Sequence, residues 1–277
     1  MTQPNCRTAT LEEIELMLDW AADEGWNPGL ADAQAFQAAD PEGFFVAEVD
    51  GKTVAAISVV NHSPQMAFLG LYLCLPEYRG RGIGYALWTQ ALTHAGARTV
   101  GLDGVPAQEA NYAKSGFVLA GRTRRFEGTL DRCDTAASLA GAADLDAITR
   151  SDRAANGYDR PTFLAEWTTQ SDSRKTVLLR GPQGITGFAT ARLCRDGCKI
   201  GPIVAPTVDE ALTLARQAAS ALECTDVIID TPDVPGGLGQ NLQGMGFEES
   251  FATARMYRGP APSPGPTLQA IATMELG

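Results

Sequence analysis

At 277 residues the chain has room for two modest domains, and 44% hydrophobic residues supply their cores. A formal net charge of −11 argues against a general nucleic-acid binder, which needs clustered Lys and Arg, and suits a small cationic or amine ligand better. No apolar run approaches the ~20 residues of a membrane span, and Met1 to Cys6 lacks the basic start and apolar core of a secretory signal, so the expected location is the cytoplasm.

Thr10-Leu11-Glu12-Glu13 is a capping box, and Leu11, Ile14, Leu18 and Ala21 follow at helical spacing. Gly25 ends that helix, Trp26-Asn27-Pro28-Gly29 is a loop, and a short helix is expected from Leu30 to Ala39. Phe44 to Val49, Asp50-Gly51 and Thr53 to Val60 form a hairpin pattern. A strand from Ala67 to Leu75, a glycine-rich turn and a helix from Ile83 to Ala95 come next. A strand at Thr99 to Leu102, a helix over Ala107 to Lys114 and strands ending near Gly128 close the unit.

The second half repeats this order. Asn111-Tyr112-Ala113-Lys114-Ser115-Gly116-Phe117 returns as Asn241-Leu242-Gln243-Gly244-Met245-Gly246-Phe247, and a strand carrying an Arg, an aromatic and a Gly follows each (Arg125, Phe126, Gly128; Arg255, Tyr257, Gly259). Gly25-Trp26 matches Gly157-Tyr158, Gly51 matches Gly184 and Asp103 matches Asp230, all about 130 residues apart. The fold class is therefore α/β with a mixed sheet, present twice. The join falls near Leu130, and Pro260 to Pro266 form a stiff linker before an apolar tail. Cys194 and Cys198 flank an Asp196-Gly197 hairpin turn. The two histidines add no ligand nearby, so no metal site is expected. His62 in a loop and His94 late on a helix read as surface residues.

The stretch Pro76-Glu77-Tyr78-Arg79-Gly80-Arg81-Gly82-Ile83-Gly84 carries the chemistry. Glycines let backbone N–H groups approach a diphosphate, the following helix N-terminus offers its positive dipole end, and Arg79 and Arg81 add charge. A dinucleotide-binding loop needs a third glycine where Tyr85 stands, and a phosphate-binding P-loop needs a Gly-Lys-Ser/Thr that is absent.

Arg79-x-x-Gly82-x-Gly84 resembles the pyrophosphate motif of the GNAT (GCN5-related) N-acetyltransferases, and Tyr112-x-x-x-Gly116-Phe117 resembles that family's second signature. The resemblance is close over residues 1–129, and the second half is similar to the divergent C-terminal domain of tandem members. It implies a catalytic domain at 1–129, a degenerate GNAT-like domain at 130–260 and a Pro-rich linker with tail at 261–277. It further implies transfer of an acetyl group from acetyl-CoA to a primary amine of a small molecule, by direct attack in a ternary complex. A non-catalytic acyl-CoA sensor or scaffold, and a protein or peptide N-acetyltransferase, are the alternatives.

On the same resemblance, Arg79, Gly80, Arg81, Gly82, Ile83 and Gly84 would hold the cofactor's phosphates. Backbone N–H groups at Leu73, Cys74 and Leu75 would face its thioester. Tyr112 would protonate the leaving thiolate, and Asn111 and Lys114 would add contacts, with Val105 where the family often has Asn. Asp103 is read either as a base acting through water, as an anchor for a cationic amine, or as a turn cap. Trp26, Asn27 and Tyr72 would line the acceptor pocket. In the second half the turn is Ile203 to Ala211, without Gly or Arg, and Asp209 and Glu210 repel a diphosphate while Leu242 replaces the tyrosine. That half is expected to shape the site, with Tyr158, Asp230 and Arg255 as residues able to reach in.

Overall fold

The structure is a computed structural model that describes residues 4–133 and 137–277. The first half runs β1 (Asn5–Thr8), α1 (Leu11–Asp23), α2 (Asp32–Ala39), β2 (Phe44–Val49), β3 (Lys52–Asn61), β4 (Met66–Cys74), α3 (Ile83–His94), β5 (Thr99–Gly104), α4 (Glu109–Lys114) and β6 (Val118–Thr129). The second runs β7 (Ser138–Leu139), α5 (Leu145–Asn156), α6 (Pro161–Trp167), β8 (Arg174–Gly181), β9 (Gly184–Leu193), β10 (Cys198–Val204), α7 (Val208–Ala221), β11 (Asp226–Pro232), α8 (Leu238–Gly244) and β12 (Glu248–Arg258), and the tail adds β13 (Leu268–Ala270). The capping box forms as read: Glu13 N–H donates to Thr10 Oγ1 at 3.3 Å and Thr10 N–H to the Glu13 carboxylate at 3.0 Å. The hairpin turn is also present, closed by Cys194 N–H on the Gly197 carbonyl.

All strands join one sheet, in the order β1-β2-β3-β4-β5-β12-β6-β11-β10-β9-β8-β7, with β13 on β10. The halves exchange their last strands. β12 of the second half pairs with β5 of the first, and β6 of the first pairs with β11 of the second. The sheet does not part at the expected boundary between residues 129 and 130. Two repeat landmarks pair across the exchange. Arg255 lies opposite Asp103 and forms a bidentate ion pair with it, and Arg125 lies opposite Asp230 and binds it at 2.8 and 3.0 Å. The Asp103 side chain is buried, and Thr123 and Thr253 also donate to it, each at 3.1 Å.

One face of the first half packs α3 on β3, β4 and β5 through Ile83, Leu87, Trp88 and Ala91. The opposite face packs α1 and α2 against Leu71 and Leu73, together with Trp167 of α6 and Ala272 and Leu276 of the tail. Asp32 ties the halves together: it is buried, and both Arg174 and Arg192 pair with it while they lie over the Trp167 ring at 4.8 and 4.3 Å.

The tail docks along the seam. β13 pairs with Ile203 and Val204 of β10, and Ile271 N–H donates to the Asp230 carbonyl of β11. β10 and β11 pair directly only through Cys198 and Lys199, so the tail fills the space where they part. It then crosses to the first half. Arg192 holds the Ala272 carbonyl, His62 meets the Leu276 carbonyl at 2.7 Å, and Arg160 donates to the Gly277 carbonyl. Gly201 and Gly70, equivalent in the two repeats, make this course possible. A Cβ at either would run into a tail carbonyl oxygen, that of Ile271 or of Glu275. His62 is therefore buried rather than on the surface, and His94 is half-buried with Nε2 2.8 Å from Asp40.

Candidate active site

β4 and β5 run parallel and pair from Met66 opposite Thr99 to Leu69 opposite Leu102, then part. A bulge causes the divergence: the β3 register shifts so that Leu71 and Tyr72 stand against Ile57, and Leu71 takes a left-handed φ of 47°. The resulting gap is part of a cavity of about 630 Å³ that reaches from the glycine-rich turn to the seam.

At the outer end, Gly80 and Gly82 have φ of 75° and 79°, values that a side chain would strain, and a Cβ at either would meet only open space. No side chain caps α3, so the N–H groups of its first turn are available to an anion. The second half differs. Thr207 caps α7 by accepting Glu210 N–H at 3.2 Å, and the tail fills the strand gap beside it. Arg79 lines the cavity, with Nε on the Cys74 carbonyl at 2.8 Å and Nη2 on Glu24 at 2.8 Å. That ion pair is half-exposed, worth about 0–1 kcal/mol, and yields readily to a phosphate. Arg81 stacks over Tyr78 at 5.1 Å, outside the cavity lining.

Of the three expected strand N–H groups, Leu75 donates to the Val54 carbonyl at 2.9 Å. Alternation turns the Leu73 N–H the same way, toward β3. The Cys74 N–H alone of the three is directed into the gap, so the expectation for Leu73 and Leu75 is corrected. Ile83 and Gly84 line the cavity. At Gly84 a Cβ would come within 2.7 Å of the Tyr72 hydroxyl, so glycine lets that phenol lie on the helix start.

Tyr112 lines the middle of the gap, its ring lying over Gly104, where a Cβ would be 2.7 Å from Cδ2. Trp88 stacks on it at 5.8 Å and meets Tyr72 edge-on at 5.2 Å. Burial, and then the neighbouring Tyr72 phenol, push Tyr112 up to about 12, so the phenol keeps its proton. Asn111 and Lys114 point elsewhere: they are exposed, bonded to Gln108 and to each other, and absent from the cavity lining.

Trp26, Arg125, Phe251, Met274 and Glu275 wall the inner end. Arg125 of β6 at 3.0 Å and Lys199 of β10 at 2.7 Å both donate to the Trp26 carbonyl, so both halves hold this loop. Burial, and then the Arg125 charge, lower the Lys199 pKa. Asn27 has turned out of the pocket. At φ 49° it binds the Asp196 carbonyl at 2.8 Å and clamps the β9–β10 turn. Asp103 lines the cavity, but Arg255 and two threonines engage its carboxylate, which corrects its reading as a free base or amine anchor. Asp230 and Arg255 act as seam partners, and Tyr158 packs in a buried cluster with Met66, Phe68 and Tyr257. Sequence reasoning missed Arg125, Phe251, Met274 and Glu275. Arg125 had a signal in its repeat partner Arg255, whereas nothing local marked the tail. Among the described residues no helix is long and apolar enough to cross a membrane, and no group of three or more His, Cys, Asp or Glu could hold a metal.

Comparison with known proteins agrees with this arrangement. The "Acetyltransferase (GNAT) family" profile matches residues 11–117, and the "Acetyltransferase (GNAT) domain" profile matches residues 148–269. A "Holothin acyltransferase" of Pseudoalteromonas sp. (strain SANK 73390) is 36% identical over 98% of this chain and 94% of its own. A solved putative acetyltransferase from Pyrococcus horikoshii superposes with a TM-score of 0.82 at 20% identity, covering 100% of this chain and 97% of its own. A tandem GNAT protein from the clavulanic acid biosynthesis pathway superposes at 0.61 and 16% identity, covering 94% of this chain and 100% of its own.

Proposed function

The chain belongs to the GNAT family and is an acyltransferase, and we propose that it moves an acetyl group from acetyl-CoA to the primary amine of a small molecule, within the first half. The observation that carries this reading is the gap between β4 and β5. It joins an anion-ready glycine turn on one side to a partly aromatic inner end on the other. The pyrophosphate would sit on the N–H groups after Gly82 with Arg79 beside it. The pantetheine would follow the freed edge of β4, with the Cys74 N–H toward the thioester oxygen, where such donors are often worth a few kcal/mol.

Tyr112 then faces the leaving sulfur. Full proton transfer from a phenol near 12 to a thiolate of ordinary pKa ~8.5 runs uphill, so Tyr112 acts as a hydrogen-bond donor that steadies the developing thiolate. Trp26, Phe251 and Met274 suit the apolar body of a small acceptor, and the docked tail leaves less room for a polypeptide. The relative is described as acting on holothin, which makes that compound the first acceptor to try. Thiol release from acetyl-CoA, measured with holothin and a panel of primary amines, tests the reading. Acceptor-dependent release supports it, and acetyl-CoA binding with no release for any acceptor favours a sensor.

A further inference from the structure

We propose that Glu275, carried into the first half by the returning tail, is the carboxylate that receives the acceptor's amine and takes its proton. The inference rests on the acyl-transfer reading above. Glu275 lines the inner end of the cavity while only 5% exposed. Its main chain lies against Gly70, the residue just past the last β4–β5 pair, so the side chain starts where the strands part. This is the face of the sheet that carries α1, α2 and the tail, opposite α3 and the glycine turn. An amine approaching through the gap from that side meets the thioester without displacing the cofactor.

Elimination among the carboxylates that line the cavity points to the same residue. Asp103 is held by Arg255, Thr123 and Thr253, and Glu24 pairs with Arg79 at the outer end. Tyr72, Cys74 and Tyr112 all have raised pKa values from burial and keep their protons. Glu275 Oε2 accepts from Thr273, whereas Oε1 has no hydrogen-bond partner among the described residues and is not fully buried. One oxygen is thus anchored and the other is free to accept, an arrangement suited to a positioned base. The amine lone pair forms the C–N bond at the thioester carbon. The nitrogen's proton passes to Oε1, the C–S bond breaks, and the thiolate takes a proton from solvent water to leave as free CoA thiol, while Glu275 returns the amine proton to solvent and is a carboxylate again.

The experiment compares wild type, Glu275→Gln and Glu275→Ala, with acetyl-CoA and the best acceptor of the holothin and amine panel. Glu275→Gln keeps the bond from Thr273 and removes the base. Turnover should fall about 100-fold or more, with the acetyl-CoA dissociation constant unchanged by calorimetry. Added formate should restore part of the activity of Glu275→Ala and none to wild type. Turnover of Glu275→Gln within about twofold of wild type, or a loss that formate leaves untouched in Glu275→Ala while acetyl-CoA still binds, overturns the assignment. No turnover by wild type with any acceptor overturns the acyl-transfer reading instead.

Discussion

Gly70→Ala is a one-methyl perturbation of the tail that leaves the cofactor side alone. The backbone at Gly70 lies outside the left-handed region, so alanine adds no conformational strain there. The added Cβ would collide with the Glu275 carbonyl oxygen and lie 2.8 and 3.0 Å from its carbonyl carbon and Cα, all main-chain atoms that cannot rotate away. Normal contact distances of ~3.5 Å require the tail to retreat by roughly 1 Å. Overpacking of this kind costs about 1–3 kcal/mol, which exceeds the ~0.4–1 kcal/mol that alanine gains by restricting the unfolded chain. A melting temperature lowered by about 1–4 °C is expected. A 1 Å displacement of a reacting group can cost ~100-fold in rate, so turnover should fall by one to two orders of magnitude while acetyl-CoA affinity stays near wild type. Gly121→Ala, where a Cβ meets nothing within 4 Å, is the control and should leave both unchanged. Wild-type stability and turnover in Gly70→Ala would refute the placement of the tail.

Other outcomes follow from the same geometry. Tyr112→Phe should lower kcat at least tenfold with little change in acetyl-CoA affinity, and unchanged kinetics would leave the tyrosine a packing role only. Arg255→Ala strands the buried Asp103 carboxylate and should destabilise the fold by about 3–5 kcal/mol, measured by urea unfolding; Arg255→Ala with Asp103→Asn should recover part of that loss. Burial, and then the Arg160 charge, hold His62 down at about 4, against about 6.5 in the unfolded chain. The folded state therefore resists a proton that the unfolded state binds. Stability is unaffected above pH 6.5 and drops by about 3 kcal/mol as pH falls from 6.5 toward 4. His62→Gln should flatten that part of the stability profile, and an unaltered acid limb would count against the buried ring.

Much of the fold was legible because its cues are local. The Thr10 capping box, the Asp50-Gly51 and Asp196-Gly197 turns and the helical spacing after Gly82 each settle a few residues by short-range physics. The glycine turn was legible for the same reason, since left-handed φ at Gly80 and Gly82 is a property of residue type. The strand exchange was not. β6 and β12 carry the same Arg-aromatic pattern, so either satisfies either neighbour, and only the closed sheet decides between them. The same ambiguity hid the role of Asp103: a lone aspartate after a strand reads as free until Arg255 arrives from about 150 residues away. Tail docking was illegible because its recognition is by main-chain carbonyls, held by Arg160, Arg192 and His62 and admitted by Gly70 and Gly201. None of these leaves a periodic trace in residues 267–277.

Calorimetric titration of acetyl-CoA into the wild-type chain and into Gly82→Val addresses the central claim, that one cofactor site exists and lies in the first half. The expected result is one molecule bound per chain by wild type and none by Gly82→Val, in which a branched side chain must adopt a φ of 79° at the uncapped start of α3. Two bound molecules per chain, or undiminished binding by a correctly folded Gly82→Val, would contradict it.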